Sequence, residues 1–257
     1  MNEILSHEDW ISYQGEYPVS MKHGISLFLR PGCAYSEKRF LYKIAEKNEI
    51  DFLEKYSFQN MICMDVGANV GYYTAWLLKK KAKFVYAFEP DPVTFEILQK
   101  NTKNRKDVLG VCAAVGQFSG ELNLYVDDKH SGDNRTKYTA MRNFIKVPAI
   151  SIDTYFAENR LEKIDFIKID VQGAETAVLN GASESIEEFK PMILIEVSPE
   201  AVDVDREELI NFLSEWMLKM NFKSYAIEEG KLVNLTYKQL KHFNGNLIVN
   251  PEHLNFL

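Results

Sequence analysis

The segment MDVGANVG, residues 64–71, constrains the fold of this chain more than any other stretch. An apolar run precedes Asp65, glycines stand at positions 67 and 71, and an apolar helical pattern follows from Tyr72. A strand that turns on glycines directly into a helix is how open α/β sheets build a nucleotide site. The segment therefore predicts a nucleotide-binding turn, although the glycines alone leave the class of nucleotide open.

Short β-rich apolar runs alternate with helical patterns from about residue 60 onward. This alternation predicts an α/β fold with a mostly parallel sheet that is covered by helices on both faces. The predicted strands span residues 61–66, 84–89, 108–113, 166–171, 192–197, 223–227 and 246–249, with two further strands at 122–126 and 145–149. The predicted helices span residues 72–80, 92–101, 174–189 and 206–220.

The first part of the chain follows a different pattern. Alternating residues over 19–29, a turn at Pro31-Gly32 and a helix over 36–56 predict a hairpin and helix extension, residues 1–58, packed on a core domain, residues 59–257. The charged, turn-forming stretch 127–143 predicts an exposed loop, and loops of this length are often lids.

Composition excludes several classes of protein. The formal charge is −7, and no Lys/Arg run is long enough to follow a phosphate backbone, so we expect no nucleic-acid partner. The three widely spaced cysteines predict neither a disulfide framework nor a zinc site. No leader pattern is seen, and no apolar run approaches the ~18 residues of a membrane span. We therefore expect a cytoplasmic protein without a membrane span.

Two cofactor classes compete for the glycine turn, namely dinucleotides and S-adenosylmethionine. The dinucleotide pattern G-x-G-x-x-G is not met, because Asn69 replaces the middle glycine. Asp65 directly before the turn would repel a pyrophosphate and attract the ammonium group of a methionine moiety. Glu89 ends an apolar run 18 residues after Gly71, where a carboxylate can accept hydrogen bonds from ribose hydroxyls in either class.

Seven segments together resemble the FkbM family of S-adenosylmethionine-dependent methyltransferases. They are DVGANVG (65–71), FEP (88–90), AAVG (113–116), GDNR (132–135), VPAISIDTYF (147–156), KIDVQGAE (168–175) and ILIEV (193–197). Their order and spacing match over about residues 60–200, and the N-terminal hairpin and helix resemble the family's usual N-terminal portion. The resemblance implies a Rossmann-like sheet of seven strands, the last antiparallel, and O-methylation of a sugar, glycan or polyketide-like acceptor.

The resemblance also implies a cofactor site in this chain. Carried onto this sequence, it comprises Asp65, Gly67, Ala68, Asn69, Gly71, Glu89, Pro90, Cys112, Ala113 and Ala114. The members around the turn would hold the methionine end, Glu89 the ribose, and the region 112–114 the adenine.

Charged residues interrupt two strands that should be apolar on both faces. Lys168 and Asp170 share one face of their strand, and Glu196 would lie near them on the next strand. A structural ion-pair network is one interpretation, since buried charges are usually paired. The other is catalytic: Asp170 takes the proton of the acceptor hydroxyl, or Asp170 and Glu196 bind a magnesium-like ion.

Further candidate residues lie outside the strands. Glu175 begins a helix, where capping is the default role and substrate contact the alternative. His130 is a candidate for proton transfer, although a lone loop histidine is more often solvated. Arg135 could order the loop through Asp133 or bind an anionic acceptor.

The function predicted from the sequence is thus S-adenosylmethionine-dependent O-methylation of a small-molecule or glycan hydroxyl. A non-enzymatic cofactor-binding module and a NAD-dependent dehydrogenase stand as alternatives, the latter disfavoured by Asp65 and Asn69. The sequence predicts neither the oligomeric state nor the identity of the acceptor, and it leaves a need for divalent metal open.

Overall fold

The computed structural model describes residues 6–43, 46–127, 129–136, 139–140, 142–197 and 206–251. Its helices are α1 His7–Ser12, α2 Ala34–Tyr42, α3 Lys47–Glu54, α4 Tyr72–Lys79, α5 Pro92–Asn101, α6 Ile152–Asn159, α7 Glu175–Asn180, α8 Ser183–Phe189, α9 Arg206–Met220 and α10 Tyr237–Leu240. Its strands are β1 Tyr17–Ser20, β2 Ser26–Leu29, β3 Ile62–Val66, β4 Phe84–Phe88, β5 Val108–Val111, β6 Ala114–Val115, β7 Gly120–Tyr125, β8 Phe144–Ile150, β9 Phe166–Ile169, β10 Met192–Val197, β11 Phe222–Glu228, β12 Lys231–Asn234 and β13 Gly245–Pro251.

The main sheet has the order β12-β11-β13-β10-β9-β3-β4-β5. Strands β10, β9, β3, β4 and β5 run parallel to one another, and β13 is antiparallel to both of its neighbours. All seven strands predicted for this sheet are present, which confirms an α/β fold with a mostly parallel sheet. The carboxyl ends of β3, β4, β9 and β10 therefore meet at one edge, where such sheets bind ligands.

The sheet has an eighth strand, β12, that the sequence analysis missed. It pairs with β11 as a hairpin, with Glu228 opposite Lys231. Both loop residues, Glu229 and Gly230, have positive φ angles of 49° and 69°. Such a two-residue loop matches the twist of an antiparallel pair. The Gly after Glu229 was the available signal, but a four-residue edge strand carries little hydrophobic pattern of its own.

Two predicted long helices are each broken into two. The predicted helix 174–189 is interrupted at residues 181–182, between α7 and α8. Gly181 packs closely against another backbone segment there, since a Cβ atom on it would lie 2.1 Å from the Gly116 carbonyl oxygen. The predicted helix 36–56 is divided into α2 and α3, with left-handed residues Lys43 and Glu46 at the break. Close backbone approach and left-handed capping geometry are tertiary features that helical periodicity does not reveal.

The N-terminal hairpin of β1 and β2 belongs to a shared apolar cluster. Leu27 and Trp10 are fully buried in the same cluster as Trp76 of α4 and Cys63 of β3. Strand β2 is also tied to α5, since Asn101 Nδ2 donates to the Phe28 carbonyl at 3.0 Å. A division of the chain into two units at residue 58 stays a prediction.

A separate small sheet has the order β6-β8-β7. It contains the two strands predicted around residues 122–126 and 145–149, and its β7–β8 loop brings a short 3-10 turn, Ser131–Asp133, toward α2. Within the described residues, no helix has the length and apolarity needed to cross a membrane.

Candidate functional site

The glycine turn after β3 is held between the ends of two neighbouring strands. The backbone amides of Gly67 and Ala68 both donate to the Phe88 carbonyl, at 3.0 and 2.9 Å. Gly67 has a φ of +81°, and a Cβ atom there would lie 1.8 Å from the backbone oxygen of Asp170. Only glycine allows both the left-handed backbone and this contact, so the position is fixed by the packing of the turn.

Glu89 follows β4 and faces the same turn. Its side chain is buried, with Oε2 accepting from the Asn69 backbone amide and Oε1 from the Asp91 amide, both at 2.9 Å. Burial raises the pKa of Glu89 to about 8, although the two backbone donors favour its charged form. Each carboxylate oxygen has a second lone pair, so both can still accept from a ligand hydroxyl.

A cleft opens at this edge of the sheet. It encloses about 600 Å³ of empty space, including its opening to solvent, which suits a small molecule. Its lining residues are Tyr35, Gly67, Asn69, Phe88, Glu89, Pro90, Ala113, Ala114, Val115, Leu124, Ser131, Gly132, Asn134, Thr136, Asp170, Val171 and Gln172. Of the described lining residues, only Glu89 and Asp170 carry a charged side chain, and both are acidic.

Four of the predicted cofactor residues do not line this cleft. Ala68 packs with Leu98 in a small apolar cluster, and a Cβ atom at Gly71 would lie 2.7 Å from Leu98 Cδ1. Cys112 lies beside the cleft, with its Sγ atom 4.0 Å from the Pro90 carbonyl oxygen. These three positions, Ala68, Gly71 and Cys112, support the cleft wall from behind.

Asp65 is the fourth, and its side chain is fully buried behind the turn. Thr74 Oγ1 donates to its Oδ2 atom at 2.6 Å, while Oδ1 has no hydrogen-bond partner. Burial raises the pKa of Asp65, and the nearby Lys168 ammonium opposes that shift. The carboxylate faces α4 and does not line the cleft, so the contact with a ligand ammonium that the sequence analysis expected stays a prediction.

The predicted ion pair at the end of β9 is present. Lys168 is 3% exposed, and its Nζ atom donates to Asp170 Oδ2 at 2.8 Å and lies 4.7 Å from the Tyr73 ring centre. Burial opposes the charged amine, but Asp170, Asp65 and Glu46 together raise the pKa of Lys168. Lys168 in turn holds the pKa of Asp170 below its usual range despite burial. Asp170 lines the cleft and Lys168 does not.

Gln172 joins Asp170 to Glu196, and the sequence analysis missed it. Its Nε2 atom lies 2.7 Å from Asp170 Oδ1 and 2.7 Å from Glu196 Oε2. Burial and the neighbouring Asp170 raise the pKa of Glu196. The signal was the position of Gln172 directly after the KIDV segment, beside Gly173, in a turn at the carboxyl end of a strand.

A magnesium-like ion between Asp170 and Glu196 does not fit this donor set. Hard cations need several oxygen ligands, whereas the Lys168 ammonium and the Gln172 amide direct N–H groups at these carboxyls. Across the residues that the structure describes, no group of three or more His, Cys, Asp or Glu could hold a metal ion.

Glu175 folds back over the turn that precedes α7. Its Oε2 atom accepts from the Gly173 amide at 3.0 Å, and its Oε1 atom from the Val171 amide at 3.2 Å. Burial raises the pKa of Glu175, which lies outside the cleft lining. These contacts fix the turn that carries Gln172, which precedes α7. The N-cap residue of α7, Ala174, makes no side-chain capping hydrogen bond, so a helix-capping role for Glu175 stays a prediction.

The β7–β8 loop covers part of the cleft, and its ordering contacts centre on Asp133. Arg135 Nη2 lies 2.8 Å from Asp133 Oδ1, as expected from the sequence, and Arg142, which the sequence analysis missed, pairs with both Asp133 and Asp127. Neither arginine lines the cleft. Of the predicted loop, residues 128, 137, 138 and 141 lie outside the described residues.

His130 is also part of this loop. Its Nδ1 atom is buried without a hydrogen-bond partner, and its side chain does not line the cleft. The loop reaches the glycine turn through Asn69 Nδ2, which donates to the Ser131 carbonyl at 3.2 Å. It reaches α2 through Ala34, whose amide donates to the Lys129 carbonyl at 2.8 Å.

Comparison of the sequence with known protein families and proteins gives three findings. A family model described as the methyltransferase FkbM domain matches residues 65–224. Hexuronic acid methyltransferase AglP of Haloferax volcanii is 26% identical over 171 residues, which cover 66% of this chain and 68% of that protein. Methyltransferase sdnD of Sordaria araneosa is 26% identical over 204 residues, which cover 62% of this chain and 78% of that protein.

A solved structure shares the fold. The crystal structure of methyltransferase FkbM from Methylobacillus flagellatus KT superposes with a TM-score of 0.51 at 18% identity. The match covers 76% of this chain but only 44% of that one, so this chain corresponds to less than half of that protein. The likeness confirms the predicted Rossmann-like methyltransferase fold.

Proposed function

This chain belongs to the FkbM methyltransferase family, and we propose that it transfers a methyl group from S-adenosylmethionine to a hydroxyl of a sugar, glycan or polyketide-like small molecule. The observation that carries the proposal is that a single cleft is lined by both Glu89 and Asp170, two carboxylates in opposite electrostatic surroundings. Glu89 is suited to accept from ligand hydroxyls, and Asp170 is suited to remain charged beside a reacting hydroxyl.

The residues of the cleft fit S-adenosylmethionine by their chemistry. Glu89 would accept hydrogen bonds from the two ribose hydroxyls, and the small apolar side chains of Ala113 and Ala114 would leave room for a flat base. Backbone groups of the turn at Gly67 and Asn69 would border the amino-acid end. When bound, the cofactor supplies a positively charged, electrophilic methyl group.

Asp170 is our candidate for the group that meets the acceptor. Its low pKa keeps it ionised at neutral pH, so it can accept a hydrogen bond from an acceptor hydroxyl and orient the oxygen for attack. A weakly basic carboxylate is sufficient, because the oxygen becomes a far stronger acid once it carries the methyl group. Asp170 would then receive that proton, while Lys168 stays buried and balances its charge.

The charges of the cleft support a neutral acceptor, and a relative supports a sugar. The charged residues described in the cleft lining are both acidic, which disfavours an anionic acceptor there, and Arg135 is engaged by Asp133 outside the lining. One relative is named a hexuronic acid methyltransferase, which supports a sugar as the acceptor class; a hexuronic acid carries a carboxylate, so this relative supports the sugar ring and not its neutrality. The formal charge of −7 makes nucleic acid an unsuitable partner.

The first test is calorimetric titration with S-adenosylhomocysteine and, separately, with NAD. We expect the wild-type protein to bind the first ligand only, and Glu89→Ala to weaken that binding about tenfold or more, because the hydrogen bonds to the two ribose hydroxyls are lost. Glu121→Ala is the matched control, since Glu121 is an exposed carboxylate on β7 that lies outside the cleft. Binding of NAD, or equal affinities for all three proteins, would contradict the cofactor assignment.

A turnover assay tests the role of Asp170. Release of S-adenosylhomocysteine would be followed on a panel of sugar and polyketide hydroxyl acceptors, for the wild type and Asp170→Asn. We expect Asp170→Asn to keep cofactor affinity and lose turnover, and a chelator to leave the wild-type rate unchanged. Cofactor binding without turnover on any acceptor would favour a non-enzymatic cofactor-binding module, the alternative from another class.

A further inference from the structure

We infer that Gln172 is a positioning residue that occupies, with its side-chain amide, the place of a divalent cation between Asp170 and Glu196. The inference rests on the proposed function only in naming Asp170 as the group that meets the acceptor. Its tests measure ion binding and carboxyl titration, so they can fail or succeed whether or not methyl transfer is found.

The geometry of the amide is that of a bridge. One nitrogen, Nε2, lies 2.7 Å from an oxygen of each carboxyl group, and these groups come from the ends of two neighbouring parallel strands, β9 and β10. A primary amide carries two N–H donors, one for each partner. The nitrogen must face Asp170, because an ionised carboxylate can only accept, and Lys168 already donates to its other oxygen.

The backbone is arranged to place this side chain in the cleft. Gln172 has a left-handed φ of 51°, which is sterically disfavoured for a residue with a Cβ atom, and Gly173 follows with a φ of 103°. The carboxylate of Glu175 accepts from the amides on both sides of Gln172 and thereby fixes the turn. An uncommon backbone conformation that is held by a buried carboxylate points to a role for the side chain at this position.

The charge balance explains why an amide suits this place. Two carboxyl groups this close to one donor repel each other when both are ionised, and proteins relieve such repulsion with a proton or a cation. Here Lys168 neutralises Asp170 from one side, and burial together with Asp170 raises the pKa of Glu196 to about 9, so Glu196 keeps a proton at neutral pH. The Gln172 amide lies between them and directs one N–H group at each carboxyl group. Asp170 is therefore held charged and oriented without an ion, and a third carboxylate in place of the amide would restore a cation-binding set of oxygens.

The first experiment is calorimetric titration of the full chain with Mg²⁺ alone and with Mn²⁺ alone. We expect Gln172→Glu to bind an ion about tenfold or more tightly than the wild type, because carboxylate number sets affinity for hard cations. Gln172→Asn is the control: asparagine tolerates the left-handed backbone, but its shorter side chain supplies neither the bridge nor a carboxylate, so it should gain no site. Wild-type binding as tight as that of Gln172→Glu, or no gain in Gln172→Glu, overturns the inference.

The second experiment reads the carboxyl group itself. Carbon-13 NMR titration of the side-chain carboxyls should show a higher pKa for Asp170 in Gln172→Asn and in Gln172→Met than in the wild type, because the amide donor favours the ionised form. Using two variants keeps the test valid if one of them does not fold. Unchanged titration of Asp170 in a folded variant would show that Gln172 only fills space, and would overturn the inference.

Discussion

Replacing Lys168 with methionine removes a buried cation that faces three carboxylates. Lys168 is 3% exposed and contacts Asp170 at 2.8 Å, and Asp65 and Glu46 also stabilise its charge. Methionine has a similar length, so the variant removes the charge with little change in packing. Removing one partner of a buried ion pair leaves the other uncompensated, and we expect the free energy of unfolding to fall by about 3–5 kcal/mol at neutral pH.

Lys146→Met is the matched control. Lys146 and Glu121 form a salt bridge of the same 2.8 Å length, but their side chains are 68% and 59% exposed. Water and salt screen an exposed pair, so we expect no resolvable change in stability from this variant. The comparison separates the effect of burial from the effect of ion-pair geometry.

The pH dependence gives the same prediction a second readout. Lys168 lowers the folded-state pKa of Asp170 to about 2, below its ordinary 3.8. The contribution of the pair is therefore complete above pH 3.8 and is lost as the pH falls toward 2. In Lys168→Met the buried carboxylates become easier to protonate, so the stability difference from wild type should shrink in acid.

The assay is urea unfolding of the three proteins at neutral pH and at about pH 2.5, inside the window in which the contribution of the pair is lost, with stability taken from linear extrapolation. A loss for Lys168→Met no larger than for Lys146→Met would refute the argument from burial. A loss of equal size at both pH values would refute the assignment of the effect to the carboxylates.

Three further outcomes follow from single contacts. Gly67→Ala should abolish S-adenosylhomocysteine binding in calorimetry, since the new methyl group would lie 1.8 Å from the backbone oxygen of Asp170. The control Gly116→Ala should keep this binding, because its new methyl group would have no atom within 4 Å. Thr74→Val should lower the free energy of unfolding by about 1–3 kcal/mol in urea titration, because Asp65 loses its hydrogen-bond donor. Arg142→Gln should speed limited proteolysis in the preceding loop, because its ion pairs to that loop are lost; unchanged cleavage would count against an ordering role.

The elements that the sequence predicted well carry their own local signals. Helix α5 has the predicted bounds because Asp91 caps it, accepting from the Val93 amide, and Pro92 occupies its first position. The central strands are apolar runs that can be identified in the sequence without knowing which strands lie beside them in the sheet. By contrast, the helix break at Gly181 coincides with a close approach to Gly116, 65 residues earlier in the chain, which no local pattern encodes.

The same distinction holds in the site. Glu89 and Asp170 were predictable because each ends a strand and breaks an apolar run. Tyr35, which lines the cleft, was not predictable, because its place beside the loop residue Gly132 depends on how two distant segments pack. The orientation of Asp65 was missed for a related reason, since the sequence shows a carboxylate beside the turn but not that Thr74 holds it toward α4.

One buried amine, that of Lys168, gives the two carboxyl groups of the cleft opposite pKa shifts. Glu89 is buried and Asp170 is partly buried, and burial alone raises the pKa of either. Glu89 receives only backbone donors and its pKa rises to about 8, whereas Asp170 receives the Lys168 ammonium and its pKa falls. Glu89 is therefore mostly protonated at neutral pH, while Asp170 stays charged. Lys168 thus determines which of the two carboxylates remains an ionised hydrogen-bond acceptor, although it lies outside the cleft lining.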